Sequence, residues 1–297
     1  MRVVVTGSSG LIGTALVTNL RADGHDVVRL VRRAPGSPDE RRWDPPTRDL
    51  DPAALTGADA VVHLAGVGVG DKRWTDAHKK AVLDSRVDAT STIATAMAAA
   101  ADGPRVLISS SAVGFYGDTG EEAVDESAPS GRGFLADVVR QWEAATAPAE
   151  QAGVRVVHAR TGVVLSADGG ALGKVLPLFK LGLGGRLGSG RQWMSWIALP
   201  DHIAALRFLL TADGISGPVN STSPEPVRNR DYTKAIAHAV HRPALAIVPS
   251  VALRAALGGF ADEGVLVSQR VLPGRLEDAG FTFTYDDVDG ALSAIVG

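Results

Sequence analysis

Apolar residues come first as a short run and then at helical spacing. Val3, Val4 and Val5 read as a buried strand. A glycine turn follows, then Leu11, Ile12, Ala15, Leu16 and Leu20 at roughly 3.6-residue spacing. Gly24-His25 closes that helix, and Val27 to Val31 is a second strand. Residues 34–57 read as irregular, rich in proline and charge. Asp59 to Ala65 is the next strand, and a long helical pattern runs from about Thr75 to Ala101 with Val82, Ile93 and Met97 as core positions. Arg105 to Ser109 is a strand, Phe134 to Ala152 a helix, and Arg155 to Arg160 a strand. Past residue 165 the pattern changes. Glycines crowd 182–190, Trp193 and Trp196 flank Met194-Ser195, and Pro224 and Pro226 interrupt the chain.

Alternating strands and helices predict an α/β fold, a Rossmann-type doubly wound parallel sheet with a smaller C-terminal substrate lobe. The expected division is 1–165 for the nucleotide-binding domain and 166–297 mainly for the smaller lobe. Helices near 200–212 and 229–241 are expected to return to the first domain. The turn after the first strand spaces Gly7, Gly10 and Gly13 as G-x-x-G-x-x-G. Gly7 permits a tight turn, Gly10 lets a diphosphate approach the backbone, and Gly13 lets helix and strand pack closely. At the end of the second strand stand Arg32 and Arg33, where an NAD site would want an acid for the ribose 2′-hydroxyl. Arginine there accommodates a 2′-phosphate, so NADP is expected over NAD.

With 297 residues, 45% hydrophobic and 21% charged, the chain can build a full core. A net charge of −3 gives no argument for nucleic acid or an anionic membrane. There is no cysteine, which excludes disulfides and thiolate chemistry. The seven histidines are scattered without a zinc motif, so no metal site is expected. No apolar run reaches membrane-span length and no secretory leader pattern opens the chain, so a cytoplasmic setting is expected.

Strand ends carry the candidate chemistry, because ligands of open α/β sheets sit at the carboxyl ends of strands. Ser109-Ser110-Ser111 runs into a loop bearing Tyr116, and both Ser111 and Tyr116 should face the cofactor. Arg86 could turn inward from its helix. His63 is expected to be structural or on the adenine side. His202, after Asp201 at a helix start, does not make a catalytic dyad. Ser195 lacks a nucleophile elbow. Trp193 and Trp196 should point to opposite faces of a strand, one toward the cleft. Arg191 beside them is a candidate for an anionic substrate group. Glu121, Glu122, Asp125 and Glu126 read as a solvated loop.

These pieces together resemble the extended short-chain dehydrogenase/reductase superfamily, in its sugar-nucleotide-epimerase-like branch, subfamily 39U. The resemblance rests on T-G-S-S-G-L-I-G (6–13), H-L-A-G (63–66), R-W-T (73–75) with S-R (85–86), and S-S-S-A-V-G-F-Y-G-D (109–118). It continues through F-L-A-D-V-V-R-Q-W-E (134–143), A-R-T-G-V-V-L (159–165), the glycine- and tryptophan-rich segment 181–197 and N-S-T-S-P-E-P-V (220–227). The tail at 268–283 resembles the branch's short C-terminal domain of unknown function. The resemblance implies a bound NAD(P), contacted by Gly7, Gly10, Leu11, Ile12, Arg32, Leu64, Ala65, Arg86 and Arg160. It places the substrate between the two lobes, against Ser111, Tyr116 and the segment holding Arg191 and Trp193. A homodimer is common in the superfamily.

Active members of that superfamily use Ser/Thr, Tyr and Lys, the last two spaced Y-x-x-x-K. This chain has three tyrosines, and four residues after Tyr116, Tyr232 and Tyr285 stand Gly120, Ile236 and Asp289. Phe134-Leu135 and Val138-Val139 occupy the places of the tyrosine and lysine, and hydrocarbon side chains cannot move a proton. Two readings stay open. In one, NADP-dependent hydride transfer or epimerisation acts on a small polar substrate such as a nucleotide sugar. Tyr116 is then a relocated acid/base, Ser111 hydrogen-bonds the reacting oxygen, and Asp118 or Glu122 assists. In the other, the protein is a non-catalytic NADP-binding sensor or scaffold.

Overall fold

The computed structural model describes all 297 residues. Eight strands form the central sheet: β1 (Arg2–Thr6), β2 (Asp26–Val31), β3 (Glu40–Asp44), β4 (Asp49–Leu50), β5 (Ala60–His63), β6 (Val106–Ala112), β7 (Arg155–Thr161) and β8 (Gly217–Ser221). Their order is β8-β7-β6-β5-β1-β2-β3-β4, all parallel except the two-residue edge strand β4. The chain leaves β1 for β2 on one side and later crosses to β5 on the other. The carboxyl end of β1 is therefore the topological switch point, where such sheets bind ligands.

Successive side chains of a strand face opposite layers. Val3 and Val5 point to one layer, with helices α1 (Leu11–Ala22) and α6 (Leu199–Thr211) contributing Leu16, Leu20, Leu206 and Leu209. Val4 points to the other, against α2 (Asp76–Ala99) and α4 (Ala147–Gln151) through Ile93, Met97 and Ala149. A separate core joins α5 (Gly170–Lys180), α7 (Asn229–Ala239) and the terminal helix Val288–Val296 around Trp196, Leu172 and Leu292.

Three departures from the sequence reading have local causes. Residues 34–57 are not wholly irregular: β3 runs through E-R-R-W-D, whose polarity hides a strand. Glu40 at its start is 2% exposed because Arg29 and Arg33 neutralise it. The helix expected over 134–152 is broken into α3 (Phe134–Ala144) and α4, with Pro148 in the first turn of the second. Strand β8, G-P-V-N-S, extends the first domain's sheet although it lies well past residue 165. Its glycine and proline disguise it, and it tolerates them as an edge strand.

Candidate functional site

The turn after β1 has a backbone only glycine can follow. Gly7 has φ +64°, and a Cβ there would lie 2.7 Å from the Leu64 carbonyl carbon. A methyl group on Gly13 would overlap the Gly7 carbonyl oxygen and come within 2.8 Å of Ser8 Cα. Gly10 caps α1 in extended conformation with no side-chain cap, and its Cβ position meets only the Gly7 oxygen, at 3.4 Å. The N–H groups of Leu11, Ile12 and Gly13 have no protein acceptor, and no acid stands in the first turn. Free N–H groups and the positive helix end together favour an anion.

Thr6 ties this turn to the end of β5. Its Oγ1 accepts from Leu64 N at 3.0 Å and Ala65 N at 3.2 Å, so its hydroxyl donates to His63 Nδ1 at 2.7 Å. That assigns the ring proton to Nε2, which is buried without an acceptor. Burial, with the Arg86 charge adding to it, lowers the His63 pKa to about 4. A neutral, enclosed His63 is a structural pin for the Leu64-Ala65 loop.

Arg86 does turn inward from α2. Its Nη1 donates to Val67 O at 2.9 Å and Val82 O at 3.0 Å, and its guanidinium lies over the Trp142 ring, 4.9 Å from the centroid. It has no carboxylate partner, and burial brings its pKa down to about 10. A half-buried cation beside Gly66 without a counter-ion fits an anionic ligand.

The two arginines after β2 differ. Arg33 is committed to Glu40 through two bonds of 2.6 and 2.8 Å, and holds that carboxyl down to about 2. This corrects its expected place among the cofactor contacts. Arg32 is exposed, and its side chain makes no ion pair or hydrogen bond.

Ser111, Glu143, Arg160 and Tyr116 form one buried chain. Ser111 Oγ donates to Glu143 at 2.6 Å, and Arg160 grips both Glu143 oxygens at 2.8 Å. Arg160 Nη1 donates to the Tyr116 hydroxyl at 3.0 Å, and that hydroxyl donates to Asn220 Oδ1 at 2.8 Å. The guanidinium stacks on Phe115, 3.4 Å from its centroid. Burial pushes the Tyr116 phenol up, only partly opposed by Arg160. Burial also pushes Glu143 up, but the bonds and charge of Arg160 outweigh it and leave the carboxyl below its ordinary value. Tyr116 is 4% exposed with both hydroxyl functions spent, which does not suit an acid/base facing a cleft. Arg160, 4% exposed and saturated by Glu143, is likewise not a free cofactor cation. Asp118 and Glu122 are exposed loop residues away from this chain of bonds.

Phe134 and Val139 stand on α3 as hydrocarbon surfaces. Phe134 meets Trp74 edge-on at 5.1 Å, and Trp74 meets Phe260 at 5.5 Å. Glu263, from the turn Ala261–Val265, accepts from Leu135 N at 2.9 Å and so caps α3. His202 is buried and bonded to Ser221, while Asp201 accepts from Thr284 N and Tyr285 N, anchoring the C-terminal segment. Trp196 is fully buried, whereas Trp193 lines a cavity in the smaller lobe. Arg191 is exposed and is not among the residues lining that cavity. Glu143, Asn220 and Glu263 were not singled out in the sequence. Their partners lie up to 128 residues away, and no local spacing marks them.

Residues 3–220 match the NAD dependent epimerase/dehydratase family, and residues 248–295 match a domain of unknown function, DUF1731. The chain belongs to the NAD dependent epimerase/dehydratase family. An epimerase family protein of Mycobacterium bovis, Mb2239, is 52% identical over 290 residues, covering 98% of this chain and 96% of the relative. The bovine epimerase family protein SDR39U1 is 37% identical over 301 residues, covering all of both chains. Among solved structures, human SDR39U1 (isoform 2) with NADPH superposes with a TM-score of 0.92 at 33% identity, covering 100% of this chain and 99% of that one. The expected family and its C-terminal domain are thus present. No helix is long and apolar enough to cross a membrane.

Proposed function

We propose that the protein is an NADP(H)-dependent oxidoreductase of the epimerase family that acts on a small molecule held between its two lobes. The observation that carries this is the glycine cradle at the switch point, with three unpartnered N–H groups at the start of α1. The human relative crystallised with NADPH supports the cofactor class. The Gly7–Gly13 turn would hold the diphosphate, and Arg86 adds an uncompensated cation near Gly66. Arg32, free at the end of β2, would meet the 2′-phosphate. Leu64 and Ala65, pinned through Thr6 and His63, would form the wall beside the cofactor. When bound, the nicotinamide supplies or accepts the hydride.

On the protein side, Ser111 is the hydroxyl at the end of β6; its proton is held by Glu143, so it would accept from a substrate hydroxyl, and would have to turn from Glu143 to donate to a carbonyl oxygen. Glu143 and Arg160 fix it from behind, and Tyr116 acts as a positioning residue of that network. One observation favours the second reading, cofactor binding without turnover: hydrocarbon side chains, Phe134, Leu135, Val138 and Val139, fill the α3 positions where active short-chain dehydrogenases would place the phenol and the lysine. NADPH deuterated at C4, incubated with a panel of carbonyl compounds, separates the two. Deuterium appearing in an alcohol product, with loss of NADPH absorbance, supports the oxidoreductase reading. Stoichiometric NADPH binding with no transfer to any panel member overturns it in favour of the sensor.

A further inference from the structure

The smaller lobe holds a half-open cavity of about 160 Å³. Its walls come from α5 (Val175, Phe179), α7 (Tyr232), the strand Trp193–Met194 and Val265 of the turn Ala261–Val265. Helix α5 links it to the cofactor cradle. Val163 lines it two residues after β7 ends, and the mouth of α5 lies against Leu11, whose Cδ1 is 3.5 Å from the Cβ position of Gly169.

The chemistry of the lining is unexpected for this family setting. None of its eighteen residues carries a charge, and eleven are hydrophobic. Two arginines beside it are spent elsewhere: Arg228 pairs with Glu121, and both Arg228 and Arg270 stack on the Trp193 ring. A diphosphate brought into this space would lose its water and meet no cation, which is strongly unfavourable. The polar atoms present are neutral. Gln192 and Gln269 each donate their Nε2 to backbone carbonyls, and Asn229 accepts from Leu187 N, leaving the other end of each amide without a protein partner. Tyr232 is 8% exposed, and its buried hydroxyl has no partner at all. Such a donor is normally satisfied.

We propose that this cavity binds an uncharged, mainly apolar molecule, its enclosed part about the size of a single ring, bearing a neutral oxygen for hydrogen bonding to Tyr232. Its lining offers no cation to the diphosphate of a nucleoside diphosphate sugar. Naming this occupant as the substrate rests on the oxidoreductase reading; occupancy of the cavity does not.

The test uses full-length protein, with and without NADPH, and calorimetric titration of acetophenone and of UDP-glucose. Acetophenone binds and UDP-glucose does not. Tyr232→Phe weakens acetophenone about tenfold, the loss of one hydrogen bond. Val175→Phe and Val265→Phe, on two different elements, fill the cavity and each weaken it by more than tenfold, with NADPH affinity unchanged. If one of these variants does not fold, the other carries the comparison. Acetophenone affinity insensitive to the filling substitutions overturns the proposal, as does UDP-glucose binding tighter than acetophenone. NADPH binding with no acetophenone binding overturns this proposal alone. Acetophenone binding with no NADPH binding overturns the cofactor reading and leaves this one standing.

Discussion

Gly13 and Gly10 separate packing from ligand approach within one turn. In Gly13→Ala the new methyl overlaps the Gly7 carbonyl oxygen and sits 2.8 Å from the Gly7 carbonyl carbon and Ser8 Cα, all backbone atoms with no rotamer to escape through. Relief needs α1 to move about 1 Å from β1, given ordinary contact distances. Overpacking of this kind costs about 1–3 kcal/mol, a fall of several degrees in Tm for a chain this size. The same movement displaces the Leu11, Ile12 and Gly13 N–H groups. Loss of one charge-assisted hydrogen bond to phosphate is worth about 1.5–3 kcal/mol, or roughly 10- to 150-fold in Kd. Gly10→Ala has φ −78° and only the Gly7 oxygen within reach, at 3.4 Å, so the fold stands. Its methyl instead occupies open space in front of the helix end. Thermal melts and NADPH fluorescence titrations of both variants give the readout. Gly13→Ala lowers both Tm and affinity, while Gly10→Ala lowers affinity alone. Gly13→Ala melting and binding like the native protein would refute the packing argument. Gly10→Ala binding NADPH normally would refute the placement of the diphosphate.

Other consequences follow from the buried charges. His63 and His202 have pKa values lowered to about 4 by burial, against 6.5 unfolded. The unfolded chain therefore binds more protons between those values, and stability present above pH 6.5 falls as pH drops toward 4. The loss is up to about 3 kcal/mol for each histidine, and urea melts across pH 7 to 4.5 measure it; a flat profile contradicts the assignment. Glu143→Gln leaves Arg160 buried without its counter-ion and destabilises by about 3–5 kcal/mol, read by chemical denaturation; Arg160→Met in the same chain restores much of it. Tyr116→Phe removes a hydroxyl bonded on both sides and costs about 1–3 kcal/mol of stability, with NADPH affinity unchanged by titration. A loss of turnover in that variant without loss of stability would instead return Tyr116 to catalysis.

The glycine turn and the strands on either side of it were legible because their signals are local: an apolar run, a fixed glycine spacing, a helical period. Strand β3 was not, because Glu40 is buried only through Arg29 and Arg33, and polarity reads as loop until the partners are known. Strand β8 looks like a turn by composition and becomes a strand only by pairing with β7. The same holds for the site. Gly7, Gly10 and Gly13 are chemistry written in consecutive residues. The closure of Tyr116 depends on Arg160 and Asn220, 44 and 104 residues away. The inward turn of Arg86 is likewise decided by Trp142, which packs across from a different helix. The cavity in the smaller lobe draws its uncharged lining from six separate segments, none of which looks like a binding site alone.

Paired titrations of NADPH and NADH test the NADP site built from the switch-point glycines and Arg32. NADPH binds more tightly than NADH by about tenfold or more, the worth of one charge-assisted phosphate contact. Arg32→Ala should erase that preference and Arg33→Ala should not. Equal affinity for the two cofactors, or a preference that survives Arg32→Ala, contradicts it.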